Sequence, residues 1–90
     1  MNSINKFVWL PRFRRDNKKL TPQSQKIINQ ALLQMEIDLK HPSLETKKFK
    51  GTNSIWEARD SKSLRITFNL KGKLITLRTV GEHKILNRPY

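Results

Sequence analysis

The spacing of apolar residues changes twice along the chain. The first cluster, Phe7-Val8-Trp9-Leu10, sets four large apolar residues ahead of Pro11. It reads as a short buried strand or as the lead-in to a helix. Pro11 suits the first turn of a helix running through Phe13 to Leu20, a basic stretch with Arg12, Arg14, Arg15, Lys18 and Lys19. Thr21-Pro22 then marks a second helix start, with Thr21 as cap and Pro22 at the first helical position. Gln25 falls one residue late for a strict capping box. Ile27, Ile28, Ala31, Leu32, Met35 and Leu39 recur at three- and four-residue spacing, which predicts a helix ending near Lys40. Pro42 sets that limit, because it disfavours helical geometry at His41. His41 to Glu45 and Gly51 to Ser54 read as turns.

From Ile55 onward the period is two. Leu64, Ile66, Phe68 and Leu70 alternate with Arg65, Thr67 and Asn69, the pattern of a half-buried strand. Lys71-Gly72 predicts a tight turn. Lys73 to Val80 reads as the partner strand, with apolar residues on both faces, and Gly81 breaks it. Ile55 to Asp60 reads as the preceding strand, closed by the polar loop Asp60 to Ser63. The expected class is therefore α+β: a short N-terminal strand, two helices, then a three-strand antiparallel meander with the helices on one sheet face. The other face is left to solvent or a partner.

Composition narrows the function classes. Ninety residues make one domain, expected to span 1–90, with a core that buries roughly 60% of the extended surface. Lys and Arg number 19 against 7 Asp and Glu, a formal charge of +12. Such an excess points to a polyanionic partner, with nucleic-acid affinity that falls steeply with salt. The chain has no cysteine, so it holds no disulfide framework and no thiolate-bound zinc. No apolar run approaches the roughly 20 residues of a membrane span. Pro11 and Arg12 cut the N-terminal apolar run too early for a signal peptide. A soluble, cytoplasmic protein without a membrane partner is expected.

Candidate chemistry lies on the strands and at their ends. Arg65 points away from Ile66 and Phe68, and Arg78 away from Leu77 and Ile75, so the two arginines can share the face not covered by helices. Arginine meets phosphate through a planar, permanently charged fork. A solvated face with cross-strand pairs, such as Arg65 with Glu57, is the bland alternative. Register decides between them: one loop length puts Glu57 opposite Arg65, and a shift of one residue puts Ala58 there. Lys47, Lys48 and Lys50 surround Phe49 in a cluster that attracts phosphate or merely stays solvated. Trp56 and Trp9 could stack bases, although such residues more often belong to a core, Trp9 above all. His83 follows Val80-Gly81-Glu82 and could transfer protons near neutral pH. His41, beside Pro42, suits a structural role better. Two histidines without cysteine or a carboxylate pair make a poor metal site. Neither a P-loop, a dinucleotide motif nor HExxH is present. RNA cleavage remains open, because RNA carries its own nucleophile and needs only an acid–base group and cations at the phosphate.

Five segments in order resemble the RelE/ParE toxin superfamily. They are His41-Pro42-Ser43-Leu44, Lys47-Lys48-Phe49-Lys50-Gly51, Ile55-Trp56-Glu57-Ala58-Arg59, Leu64-Arg65-Ile66-Thr67-Phe68 and Val80-Gly81-Glu82-His83. The likeness is strongest to the RelE-like branch with a histidine in its final Val-Gly-x-His motif. It implies the toxin of a bacterial type II toxin–antitoxin pair, an endoribonuclease that cuts mRNA in the ribosomal A site without metal or other cofactor. It also implies roles by position. Arg65 matches the arginine at the scissile phosphate, and His83 a residue that protonates the leaving oxygen or supports the phosphate. Arg59 belongs to a Trp-x-x-Arg motif, and Tyr90 is the candidate for a catalytic tyrosine near the C-terminus. Lys47, Lys48, Lys50, Trp56 and Arg78 are the expected RNA contacts. The general base stays unassigned.

Two other functions share this fold. One is a ParE-like poison of DNA gyrase, which needs no nuclease residues, and the other is a catalytically inactive module that binds RNA or antitoxin. In each case the expected protein partner is an acidic antitoxin covering the basic face, with the free toxin monomeric and the complex a hetero-oligomer.

Overall fold

A computed structural model describes residues 4–48, 54–60 and 63–82. In chain order it contains β1 (Lys6–Trp9), α1 (Pro11–Lys18), α2 (Pro22–Ile37), a 3-10 turn (Pro42–Leu44), β2 (Lys47–Lys48), β3 (Ile55–Asp60), β4 (Leu64–Lys71) and β5 (Leu74–Glu82). The strands form one mixed sheet in the order β1-β5-β4-β3-β2. β1 runs parallel to β5, and every other neighbouring pair is antiparallel. The expected α+β architecture is present, and the first two lysines of the basic cluster form an additional edge strand, β2.

Both helices begin at prolines and stop earlier than their apolar pattern suggests. Thr21 Oγ1 accepts a hydrogen bond from Ser24 N at 3.1 Å and so caps α2. Gln25, out of place for a capping box, reaches back instead. Its Nε2 donates to Asn17 O at 2.9 Å and Leu20 O at 3.1 Å, satisfying carbonyls at the α1–α2 elbow. α1 closes at Lys18 through i→i−3 bonds from Lys19 N to Asp16 O and from Leu20 N to Asn17 O. α2 ends at Ile37 because the Asp38 carboxylate accepts from Lys40 N at 3.0 Å, a local turn that competes with the next helical turn. The His41 ring accepts from Ser43 N at 3.1 Å and opens the 3-10 turn, a structural use of that histidine. A Thr21→Ala variant is expected to lose about 1 kcal/mol, read as a lower thermal midpoint with unchanged far-UV circular dichroism at 20 °C.

The core lies between the helices and one sheet face. Phe13, Ile28, Ala31, Leu32 and Met35 meet Ala58, Leu64, Ile66, Phe68, Ile75, Leu77 and Val80, with Leu44 from the 3-10 turn. Phe13, Ile28, Met35, Phe68, Ile75 and Leu77 are fully buried. Trp9 is part of this framework: it meets Phe13 edge to face at 5.1 Å, and Arg14 lies over its ring. α1 is also tied to β5, where Asp16 Oδ2 accepts from Val80 N at 3.5 Å. Among the described residues no helix is long and apolar enough to cross a membrane.

A β-bulge resolves the mixed apolar pattern of β5. Thr67 pairs with Thr79, yet Phe68 pairs with Leu77, so Arg78 is an extra residue on β5. The buried positions Ile75, Leu77 and Val80 are spaced two and then three apart, and the bulge brings all three to the core. Arg78 and Thr79, although adjacent, consequently both project to the opposite face.

Candidate active site

Pairing of β3 with β4 sets which side chains share the face away from the helices. Glu57 lies opposite Thr67, Ala58 opposite Ile66, and Arg59 opposite Arg65. Neither of the two sequence-based registers holds: Glu57 is Arg65's diagonal neighbour, and the residue directly across from Arg65 is a second arginine. Asp60 pairs with Leu64, leaving only residues 61–63 for the connection, and this short link fixes the register.

Two carboxylates offset the like charges. Arg65 Nε lies 3.6 Å from Glu57 Oε1, and both side chains are under a tenth exposed. The same Glu57 oxygen lies 4.0 Å from Lys47 Nζ on the edge strand. Arg59 Nη1 lies 3.5 Å from Glu45 Oε1. Glu45 takes the left-handed conformation at φ 43, the one non-glycine residue with positive φ among those described, where the chain leaves the 3-10 turn. Arg65 Nη1 also donates to Leu64 O at 3.3 Å.

The centre of this face is not a solvated surface. Glu57, Arg65, Thr67 and Thr79 are all buried. Thr67 Oγ1 and Thr79 Oγ1 are hydrogen-bonded to each other, and Thr79 N donates to Thr67 Oγ1 at 3.1 Å. Gly81 is Arg65's partner on β5, so that strand contributes no side chain beside the guanidinium. Arg78 Nη1 donates to Asn69 Oδ1 at 2.8 Å, and Asn69 Nδ2 in turn donates to Ser54 O and Oγ, which holds Arg78 toward the far end of the same face.

The structure thus brings together Arg65, Arg59, Lys47 and, further along, Arg78. It does not bring Trp56 or Lys48 to them. These two pair with each other and lie on the other face, where Trp56 packs half-buried against the core. The core role expected for Trp56 from its residue type describes its position, and its expected RNA contact does not, because the side chain faces the helices. Lys50, His83 and Tyr90 lie outside the described residues. The Arg65–Glu57 pair was one of the sequence readings and is present, although across a diagonal rather than directly opposite, whereas the Glu45–Arg59 contact depends on the 3-10 turn and was not anticipated. Among the described residues no cluster of three or more His, Asp or Glu could hold a metal ion.

This sheet order, with two helices on one face, is the fold of the RelE-like toxins. Three solved structures illustrate the likeness. The toxin–antitoxin complex DinJ–YafQ from E. coli gives a TM-score of 0.77 at 11% identity, covering 93% of this chain and 98% of that one. A copper-bound mutant toxin from Helicobacter pylori gives 0.72 at 20%, covering 91% and 98%. The RelB–RelE antitoxin–toxin complex from Methanococcus jannaschii gives 0.65 at 24%, covering 88% and 93%. No family model and no curated protein matches the sequence.

Proposed function

We propose that this chain is the toxin of a toxin–antitoxin pair and acts as an endoribonuclease on mRNA, with the ribosomal A site as the place of cleavage. The observation that carries the reading is the pairing of Arg65 with Gly81, two residues before His83, on a face that also holds Arg59 and Lys47. Such a face sets the fixed, buried cation Arg65 beside the part-exposed Arg59 and the exposed Lys47, cations suited to a phosphate, and His83 lies two residues beyond Gly81 in the chain. In the step itself the RNA 2′-oxygen bonds to phosphorus and its proton passes to a base. The bond from phosphorus to the 5′-oxygen breaks, and His83 gives that oxygen a proton. The products are a 2′,3′-cyclic phosphate and a 5′-hydroxyl, and no metal enters the step. Lys47 and Arg78, together with Lys50, supply backbone contacts, Arg59 supports the fold and the phosphate, and Tyr90 is a further candidate near the leaving group; Lys48, on the other face, is left out of this set.

The partner that fits is an acidic antitoxin. The formal charge of +12 favours it, and a polypeptide that folds on binding can cover a large basic surface. The gyrase-poison reading uses the same fold but gives Arg65 and His83 no task. Inducible expression of the wild type with 5′-end mapping of a reporter mRNA separates the two. The nuclease reading expects arrested growth and new 5′ ends in register with codons. Arrest with intact mRNA and an induced DNA-damage response would assign gyrase instead, and unimpaired growth would identify an inactive binding module.

A further inference from the structure

Glu57 is buried on a face whose chemistry asks for cations. A buried carboxylate is retained at a cost unless its partners compensate it. Here the partners are Arg65 Nε at 3.6 Å and Lys47 Nζ at 4.0 Å, both on the same oxygen. We infer that Glu57 is the positioning residue for Arg65, holding the guanidinium by its Nε edge so that the fork is fixed in direction before RNA arrives.

Three features of the structure support this role. The contact is made at Nε, the one guanidinium nitrogen on the stem side, so the pairing fixes rotation about the end of the side chain. Arg65 Nη1 also donates to Leu64 O at 3.3 Å, a second contact that restrains the guanidinium. Lys47 meets the same carboxylate from the edge strand, although its own side chain is 63% exposed, so Glu57 links the outermost lysine to the buried arginine. Both cations engage the same Glu57 oxygen and the carboxylate is under a tenth exposed, a placement that suits positioning of Arg65 rather than contact with the 2′-hydroxyl. A preorganised cation costs no reorganisation in the transition state, which is where its contribution to rate arises.

The inference rests on the nuclease reading, and its test separates the two. The purified wild type, Glu57→Gln, Glu57→Asp, Arg65→Ala and Glu57→Gln/Arg65→Ala are compared on a reporter mRNA bound to bacterial ribosomes, with circular dichroism as the control for folding. Glu57→Gln is expected to lower kcat by roughly 10–10²-fold while KM stays level or falls. KM has reason to fall because the variant removes a negative charge from an RNA-binding face. A merely structural role would instead reduce the folded fraction and leave kcat per folded molecule unchanged. Glu57→Asp keeps the charge but retracts it by one methylene, and is expected to lose less than the glutamine variant. In the Arg65→Ala background Glu57→Gln is expected to add nothing, since there is no guanidinium left to orient. Wild-type kcat in folded Glu57→Gln, or losses that multiply with Arg65→Ala, would overturn the inference while the nuclease reading stands. If Glu57→Gln does not fold, Glu57→Asp decides, and wild-type kcat there overturns it too. If the wild type leaves the mRNA uncut, the nuclease reading fails and takes this inference with it.

Discussion

Replacing Arg65 and His83 by alanine together is expected to abolish growth arrest and to lower mRNA cleavage by at least roughly 10²–10⁴-fold, the range for losing one acid–base or charge-stabilising group. The two side chains belong to different parts of the reaction, one at the phosphate and one at the leaving oxygen. If they act as a unit, the double variant costs little more than the worse single one. Arg65→Ala also leaves Glu57 buried with Lys47 alone, so some stability is lost as well. The measurement therefore pairs growth and 5′-end mapping with a thermal melt of each purified variant. Full growth arrest by the folded double variant would remove this site from the function altogether.

Phe68→Ala is expected to have the largest effect on stability. Phe68 is fully buried on β4, the central strand of the sheet, between Trp56 on β3 and Leu77 on β5, beneath the helices. Truncating a buried phenylalanine costs about 3–5 kcal/mol, from lost transfer energy and the cavity left behind. For a domain of this size each kcal/mol moves the midpoint by roughly 4–8 °C, so the fall is on the order of 12–40 °C. Thermal circular dichroism reads it directly. A midpoint within a few degrees of the wild type would mean that the sheet–helix core is not held by this ring.

Much of the architecture was legible before the structure. The helix of Ile27, Ile28, Ala31, Leu32 and Met35 follows from spacing alone, and its buried set is Ile28, Ala31, Leu32 and Met35. Leu33 and Ile37, outside that spacing, are exposed. Thr21 with Pro22 marked the start of α2, because capping is a local interaction between near neighbours. The ends were less legible. Asp38 stops the second helix through its own side chain, which an apolar pattern continuing to Leu39 conceals. The edge strand β2 was hidden for a similar reason: two exposed lysines carry no alternation, and only pairing with Trp56 and Glu57 makes them a strand.

The candidate site divides along the same line. The sequence by itself determined that Arg65 leaves the apolar face of its strand, that the chain is strongly basic, and that His83 follows the last strand, since charge and period-two alternation are properties of single positions and close neighbours. The tertiary structure alone decided that Arg59 stands across from Arg65, that Glu57 holds Arg65 and Lys47 together, and that Trp56 turns to the core. It also decided, through the bulge at Arg78, that Leu77 and Val80 share one face while Thr79 and Arg78 share the other. Strand register and bulges depend on the short connection between strands and on how the sheet meets its helices, and a shift of one residue exchanges every side chain between the two faces.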